Sequence, residues 1–194
     1  MALIPGGAFV MGTENGPPDE RPRHRVVLRS YLIDRMPVTN ESFSGFLNEK
    51  GWRDSTGRRY YDVDDGDARI HRRDGKFAAD TGYGDHAAVE PSWIGAAEYC
   101  RWRGKRLPTE AEWERAARGI AGRPYPWGDA SPDRGRARFA SGWNETAPVG
   151  AHPQGATPEG VLDLAGNVHE WTSSLYLPYP WRADDGRETP DPGA

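Results

Sequence analysis

Few residues in this sequence have the types and spacing that catalysis or metal binding requires. Cys100 is the only cysteine, so neither an intrachain disulfide nor a multi-thiolate metal site can form within the chain. The five histidines lack the close spacing of a zinc motif such as HxxxH. The carboxylates of Asp163 and Glu170 are hard oxygen donors of the kind that calcium prefers. By itself, such a pair does not predict a metal site.

Cys100 lies in a segment whose pattern predicts a helix. Ser92 can cap the helix at its start, and Gly104 can end it. The apolar face of this helix consists of Trp93, Ala96, Ala97 and Cys100. This face directs the thiol into the core, where we expect it to be buried and inert.

Two further helices have clear start and stop signals. Thr39 precedes a helical apolar pattern over residues 40–50. Thr109 and Glu112 have the spacing of a capping box, and Gly119 can end the helix that follows it. Both segments are therefore predicted to be short amphipathic helices.

The remaining segments show weaker patterns. Residues 26–28 and 31–33 are short apolar runs, which predict a strand or hairpin. Residues 52–85 sustain neither a helical nor a strand period, so we expect a long loop anchored by aromatic side chains. Residues 176–194 are rich in Pro, Asp and Arg and are typical of a connector.

Composition narrows the classes of protein that remain. The chain has 194 residues, about the size of one domain, and its 24 Gly and 17 Pro favour turns and ordered loops. The net charge of −4 comes from well-mixed charges, which argues against nucleic acid and against a polybasic membrane patch. The first residues, MALIPGG, show no cationic region followed by a long apolar run, and no apolar run approaches the ~20 residues of a membrane span. We expect a soluble protein in a reducing compartment, the cytoplasm.

Four separated sequence blocks occur in an order found in one known family. They are IPGGAFVMG at 4–12, PVTN at 37–40, RLPTEAEWE at 106–114 and GNVHEW at 166–171. Shorter matches fall between them at 92–93, 99–102 and 125–128. Together these blocks resemble the formylglycine-generating enzyme, or sulfatase-modifying factor, family over about residues 3–175.

The resemblance implies an α+β fold, a variant of the C-type-lectin-like architecture. Such a fold has low regular secondary structure, with short helices and small antiparallel sheets. We interpret residues 1–194 as a single domain of this type that is incomplete at its C-terminal end. Residues 176–194 would then be a connector-like tail.

The resemblance also implies a structural calcium ion. The ligand set that it implies is Asp163, Gly166, Val168 and Glu170, with side-chain carboxylates from the first and last and backbone carbonyls from the other two. Asn167 is expected to anchor this turn by hydrogen bonds from its side chain to the backbone. Trp171 is expected to anchor it by burial.

A second calcium site of the family is harder to place here. Its loop should follow Gly128, where relatives have an Ala-Asn pair, and the nearest match is Ala137 with Arg138. Arginine has no acceptor atom with which to ligate calcium. Asp133 or Asn144 could supply the missing oxygen.

The chemistry of the active family members is absent from this chain. The resemblance implies oxidation of a substrate cysteine to formylglycine, using copper, oxygen and two cysteines that follow an Arg-Gly-Gly-Ser-Trp stretch. Only 23 residues follow Trp171, none is Cys, and no Gly-Gly-Ser-Trp occurs. We therefore predict no catalytic residue in this chain. Copper would bind only if a cysteine-bearing C-terminal segment exists.

Three interpretations remain open. The chain is part of an enzyme of this family, whose substrate would be a cysteine-containing protein or peptide. Alternatively, it is a noncatalytic C-type-lectin-like binding module that presents Tyr60, Tyr61 and Tyr83 to a peptide or glycan. The third is the sulfur-transferring nonheme iron branch, which takes some iron-binding histidines from a helical domain that this sequence does not contain. None of these interpretations involves nucleic acid or a membrane, and the oligomeric state is not predicted.

Overall fold

The computed structural model describes residues 1–139 and 145–189. These residues contain three short α-helices and six short strands, arranged as three two-stranded antiparallel sheets. The strands are β1 (Ala2–Ile4), β2 (Gly7–Met11), β3 (His24–Leu28), β4 (Tyr31–Ile33), β5 (Ile70–Arg73) and β6 (Lys76–Ala79). The helices are α1 (Asn40–Lys50), α2 (Trp93–Trp102) and α3 (Glu110–Arg118). This confirms the predicted α+β class, with short helices and small antiparallel sheets. Among the described residues, no helix has the length and apolar character needed to cross a membrane.

The first four strands form one antiparallel ribbon that is interrupted once on each side. β1 pairs with β4 and β2 pairs with β3 in a single continuous register. The side of the ribbon formed by β1 and β2 is interrupted at Pro5 and Gly6. A Cβ atom on Gly6 would lie 2.7 Å from the backbone nitrogen of Ser30. Only glycine allows this close approach. The two halves of the ribbon pack on different hydrophobic clusters.

Three hydrophobic clusters make up the core of the described chain. The first joins α1, α2 and residues 60–77, and its most buried aromatic residues are Phe43, Phe46, Tyr61 and Tyr99. The second joins β1, α3 and residues 161–164. The third joins β2, β3 and α3. Because α3 contributes to the second and third clusters, it connects the two halves of the ribbon.

The predicted ends of α1 and α3 are confirmed. Thr39 caps α1 by accepting a hydrogen bond from the Ser42 N–H at 3.2 Å, and α1 covers residues 40–50 as expected. In α3, the Thr109 hydroxyl accepts from the Glu112 N–H at 3.1 Å, and the Glu112 carboxylate accepts from the Thr109 N–H at 2.9 Å. This is the predicted capping box.

The start of α2 is confirmed, but its predicted buried face is correct only in part. Ser92 caps the helix by accepting from the Gly95 N–H at 3.0 Å. The buried positions are Gly95 and Tyr99, whereas Cys100 is only half-buried. The physical reason is the close approach at Gly95, where a Cβ atom would lie 1.9 Å from the carbonyl oxygen of Tyr60. This contact turns the Gly95 and Tyr99 side of α2 toward the first cluster, and Cys100 packs at the edge of that cluster.

The loop prediction for residues 52–85 is also wrong in part. β5 and β6 form a hairpin there, joined by Asp74 and Gly75 in left-handed conformations. Tyr61 is fully buried, and its hydroxyl oxygen accepts hydrogen bonds from the N–H groups of Arg69 and Ile70 at 3.0 and 3.2 Å. Tyr60 packs against the same cluster. Tyr61 therefore belongs to the core and is not available to the binding surface proposed for a noncatalytic module. Tyr60 and Tyr83 are partly buried.

The described part of the tail, residues 176–189, is packed and is not a loose connector. Tyr179 and Trp181 pack on the third cluster, and the Tyr179 hydroxyl donates to a Glu110 carboxylate oxygen at 2.9 Å. Arg187 is only 1 % exposed and donates to the Pro178 carbonyl at 3.0 Å. These long-range contacts were not predicted because a composition rich in Pro and Asp is typical of a connector. The extent of the single domain and its incompleteness remain predictions.

Candidate functional site

The turn predicted to bind calcium, residues 163–170, is held by a neighbouring segment. The Asn167 N–H donates to the Arg138 carbonyl at 2.9 Å, and its side-chain oxygen accepts from the Ala147 N–H at 2.9 Å. A Cβ atom on Gly166 would lie 2.3 Å from the Arg138 carbonyl oxygen, and its φ is +85°. Glycine is therefore required at this position by both space and conformation. The predicted anchoring by the Asn167 side chain is confirmed.

The predicted burial of Trp171 is wrong. Its side chain is 52 % exposed, and the indole Nε1–H donates to the Pro91 carbonyl at 2.9 Å. None of the three hydrophobic clusters includes the ring. Trp171 therefore ties the turn to residues 87–91 by a hydrogen bond at the surface.

Asp163 and Glu170 lie at the two ends of this turn and interact with each other electrostatically. An Asp163 carboxylate oxygen accepts from the Gly150 N–H at 2.8 Å, and Glu170 accepts from the Trp113 indole N–H at 2.5 Å. Burial of its carboxyl group raises the pKa of Glu170 to about 7. The hydrogen bond from Trp113 opposes this shift, and the negative charge of Asp163 adds to it.

The donor chemistry of this pair fits a hard cation. No arginine, lysine or histidine of the described residues forms an ion pair with Asp163 or Glu170. Two neighbouring carboxylates without a basic partner repel each other, and a bound divalent cation relieves that repulsion. The Gly166 carbonyl accepts from the Val168 N–H at 2.9 Å and keeps a second lone pair. The four-residue calcium ligand set remains a prediction.

The residues considered for a second calcium site are occupied by other contacts. Arg138 donates from Nε to the Glu145 carbonyl at 2.8 Å, and its guanidinium also pairs with the Glu145 carboxylate. The Asp133 carboxylate accepts from the Gly135 and Arg136 N–H groups at 2.9 and 3.0 Å. It also pairs with the Arg136 guanidinium. These contacts occupy both oxygens of the Asp133 carboxylate. Asn144 lies outside the described residues.

A different group of acidic residues was not found from the sequence. Asp65, Asp67 and Glu90 each place a carboxylate oxygen within 4.8 Å of the others. Burial raises the pKa of Glu90, and the charges of Asp65, Asp67 and Asp62 raise it further. The Asp-rich run at 62–67 was the available signal, but Glu90 is too distant in sequence for spacing to connect it.

A cavity of about 1100 Å³ lies between the first and second hydrophobic clusters. Its walls come from β4, α2, the start of α3, residues 87–91 and the turn at 166–171. We refer to it as the central cavity. Sequence patterns did not indicate this cavity. The available signal was the run at residues 31–33, where all three residues are apolar, whereas a strand with one buried face alternates polar and apolar residues.

Comparison with known proteins identifies the family. The protein-family model of the sulfatase-modifying factor enzyme 1-like domain matches residues 1–187. The chain belongs to this family. The match extends past residue 175, where the sequence resemblance was expected to end, and this agrees with the packed tail.

Two curated relatives in the family differ in how much of their length the chain spans. The serine/threonine-protein kinase pkn1 of Chlamydia caviae is 42 % identical over 179 residues, covering 91 % of this chain but only 28 % of the relative. The formylglycine-generating enzyme of Mycobacterium tuberculosis is 34 % identical over 223 residues, covering 91 % of this chain and 74 % of the enzyme. The family therefore includes oxidoreductases as well as domains within longer proteins.

A solved structure supports the same fold. The structure of PvdO from Pseudomonas aeruginosa superposes with a TM-score of 0.64 and 27 % identity, covering 89 % of this chain and 69 % of that chain. The small antiparallel sheets and short helices described above are therefore those of a sulfatase-modifying-factor-type domain.

Cys100 is poorly suited to the copper chemistry that the sequence resemblance implies. Burial raises the pKa of the Cys100 thiol, and the nearby Asp34 carboxylate raises it further, against the opposing effect of Lys105. The thiolate that would bind metal or attack a disulfide is thereby disfavoured. A copper site with two thiolates does not fit this chain, because Cys100 is its only cysteine.

Proposed function

We propose that this sulfatase-modifying-factor-type domain binds a cysteine-containing polypeptide in the central cavity and does not itself oxidise the bound cysteine. The supporting observation is the cavity of about 1100 Å³, which is bordered by the 166–171 turn and by the start of α3. Pockets for small ligands have volumes of roughly 300–1000 Å³. The likeness to a formylglycine-generating enzyme supports a cysteine-containing substrate class.

The residues around the cavity suit binding better than redox chemistry. Leu107, Trp113 and Leu164 provide apolar wall that excludes water from a bound segment. Cys100 also lines the cavity, but the pKa of its thiol is raised. Oxidation of a bound thiol would need redox groups beyond those in this chain.

We also propose that calcium has a structural role at the 163–170 turn. Asp163 and Glu170 would hold the ion with their carboxylates, and Gly166 and Val168 with their backbone carbonyls. Bound calcium would supply positive charge between two carboxylates that otherwise repel each other. The turn forms part of the cavity wall, so this role would link calcium to the shape of the binding site.

Direct binding tests the cavity proposal. The probe is a fluorescein-labelled peptide in which valine alternates with threonine around a central cysteine, with one lysine near an end. We expect saturable binding that Ala96→Trp weakens by about tenfold or more, because Ala96 lines the central cavity and the indole would occupy it. Ala97→Trp is the matched control, since Ala97 is the next residue of α2 and is outside that cavity.

Both variants must have circular dichroism spectra and melting temperatures close to those of the parent chain. Equal weakening by the two substitutions, or no binding of the probe at all, would contradict the cavity proposal. Equal binding of a peptide with serine in place of cysteine would contradict selectivity for cysteine. Incubation with the probe peptide, copper and oxygen should give no aldehyde above background, and aldehyde formation would show that the chain does oxidise the cysteine.

A further inference from the structure

One edge of β4 is unpaired and faces the central cavity. β4 pairs with β1 on one side, and the described residues form no ladder with its other side. Tyr31, Leu32 and Ile33 all line the cavity. Because side chains alternate between the two faces of a strand, three consecutive lining residues place the cavity along the strand's edge. Unpaired N–H and C=O groups on such an edge can pair with an added strand.

The cavity surface next to this edge suits apolar side chains. Phe43 and Tyr99 contribute from the first hydrophobic cluster, and Val161 and Leu164 contribute from the second. Leu32 is 58 % exposed. An extended segment beside β4 would cover Leu32 and pack alternate side chains between the two clusters.

The charges around the cavity are unbalanced at one end. Three of its basic side chains are neutralised in the pairs Lys105 with Asp34, Arg106 with Glu112 and Arg138 with Glu145. The carboxylates of Asp67 and Glu90 form no ion pair with a described residue, and Asp65 lies beside them. Arg69, on the same wall, directs its guanidinium at the Tyr83 ring, 4.9 Å from the ring centre. This end therefore favours a cationic side chain.

We propose that an extended peptide segment of another polypeptide binds as a third strand on the free edge of β4, with alternating apolar side chains in the cavity and a basic side chain at Asp67 and Glu90. This inference rests on the proposed function, because it describes how the same cavity binds its polypeptide. Main-chain pairing provides affinity in this mode, and the side-chain pockets provide selectivity.

Backbone methylation of the probe peptide tests the strand pairing. Two versions are compared, one with N-methyl groups on the valines and one with N-methyl groups on the threonines. N–H groups of alternate residues in a strand point to opposite sides, so only one version loses its hydrogen bonds to β4. We expect that version to bind about tenfold more weakly or worse, and the other to bind nearly as well as the parent peptide.

Charge substitutions test the orientation of the bound strand. The double variant Asp67→Asn, Glu90→Gln should weaken binding of the lysine-containing probe and have little effect on a probe with norleucine in place of lysine. Glu49→Gln is the control, because Glu49 lies on α1 outside the cavity and already pairs with Lys50. The control should affect neither probe.

The outcomes separate the strand inference from the proposed function. Binding with equal sensitivity to the two methylation patterns would overturn strand addition while leaving peptide binding in the cavity intact. Absence of binding by every probe would overturn both. A chain that elutes as a dimer, and that dissociates as probe peptide binds, would show that a second copy pairs with β4 and would contradict a heterologous peptide as the occupant.

Discussion

At the scale of single residues, two helical glycines have opposite roles. A Cβ atom on Gly95 in α2 would lie 1.9 Å from the Tyr60 carbonyl oxygen, whereas one on Gly45 in α1 would meet nothing within 4 Å. We expect Gly95→Ala to lower the free energy of unfolding by about 1–3 kcal/mol through overpacking. Gly45→Ala should raise it by about 0.5–1 kcal/mol, because alanine favours an exposed helix interior. Urea unfolding measures both free-energy changes, and changes of the same sign would contradict the opposite roles given to Gly95 and Gly45.

Residue type alone did not predict the burial of Trp171. Trp171 was predicted to be buried because large aromatic side chains usually are, yet it is half-exposed and acts through its indole N–H. The bonding of the Asn167 side chain to backbone was predicted correctly, because a short amide side chain in a turn commonly bonds to main-chain groups. Its partner, Ala147, is 20 residues away in sequence. The type of hydrogen bond is therefore more predictable here than burial or the identity of the partner, since both of these depend on residues far away in sequence.

At the scale of secondary-structure elements, α3 depends on its cap. Thr109→Ala removes the hydroxyl that accepts from the Glu112 N–H and leaves that donor without its partner. We expect a loss of about 1 kcal/mol in the free energy of unfolding. Thr109→Ser, which keeps the hydroxyl, should restore most of it. Equal losses for the two variants in urea unfolding would indicate that the methyl group, and not the cap, accounts for the effect.

The ion pair between Glu112 and Arg106, beside this cap, should make a pH-dependent contribution to the stability of the folded chain. Burial alone would raise the pKa of Glu112, but hydrogen bonds from the Arg106 side chain and the Thr109 N–H outweigh it and lower the pKa. A lowered pKa stabilises the folded chain above the ordinary pKa of glutamate, and the stabilisation disappears as pH falls through the lowered value. The difference in unfolding free energy between the parent and Glu112→Gln should therefore narrow in acid. A difference that widens in acid would contradict this sign.

Elements with local signals were predictable from sequence, and the others were not. The ends of α1 and α3 follow from caps within a few residues of each helix. The β5–β6 hairpin was missed because its strands are only four residues long and neither keeps a polar–apolar alternation, with sequences IHRR and KFAA. Their position is set by packing on the first cluster, a long-range effect that strand periodicity does not report.

At the scale of the whole molecule, calcium should stabilise the fold. Calcium at 100 times its dissociation constant would add roughly 2.7 kcal/mol to the free energy of unfolding. We therefore expect the melting temperature to rise with calcium and to fall with a chelator. Asp163→Asn should reduce this response, because it removes a charged ligand.

Asp133→Asn is the control for the calcium response. Its carboxylate is engaged by local N–H groups and by Arg136, so its loss should leave the calcium dependence unchanged. A melting temperature that is insensitive to calcium in a folded sample would contradict the site at the 163–170 turn. The partners of Asp163 and Glu170 were visible only in three dimensions. Their hydrogen-bond donors, Gly150 and Trp113, are distant in sequence from that turn.

The third hydrophobic cluster brings together residues from near the two ends of the described chain. Phe9, Met11 and Val26 are covered by Ala111 and by Tyr179 and Trp181. During synthesis, β2 and β3 leave the ribosome long before the residues that cover them. Their apolar face therefore stays exposed while most of the chain is being made, and we expect its final packing to follow translation of Tyr179 and Trp181.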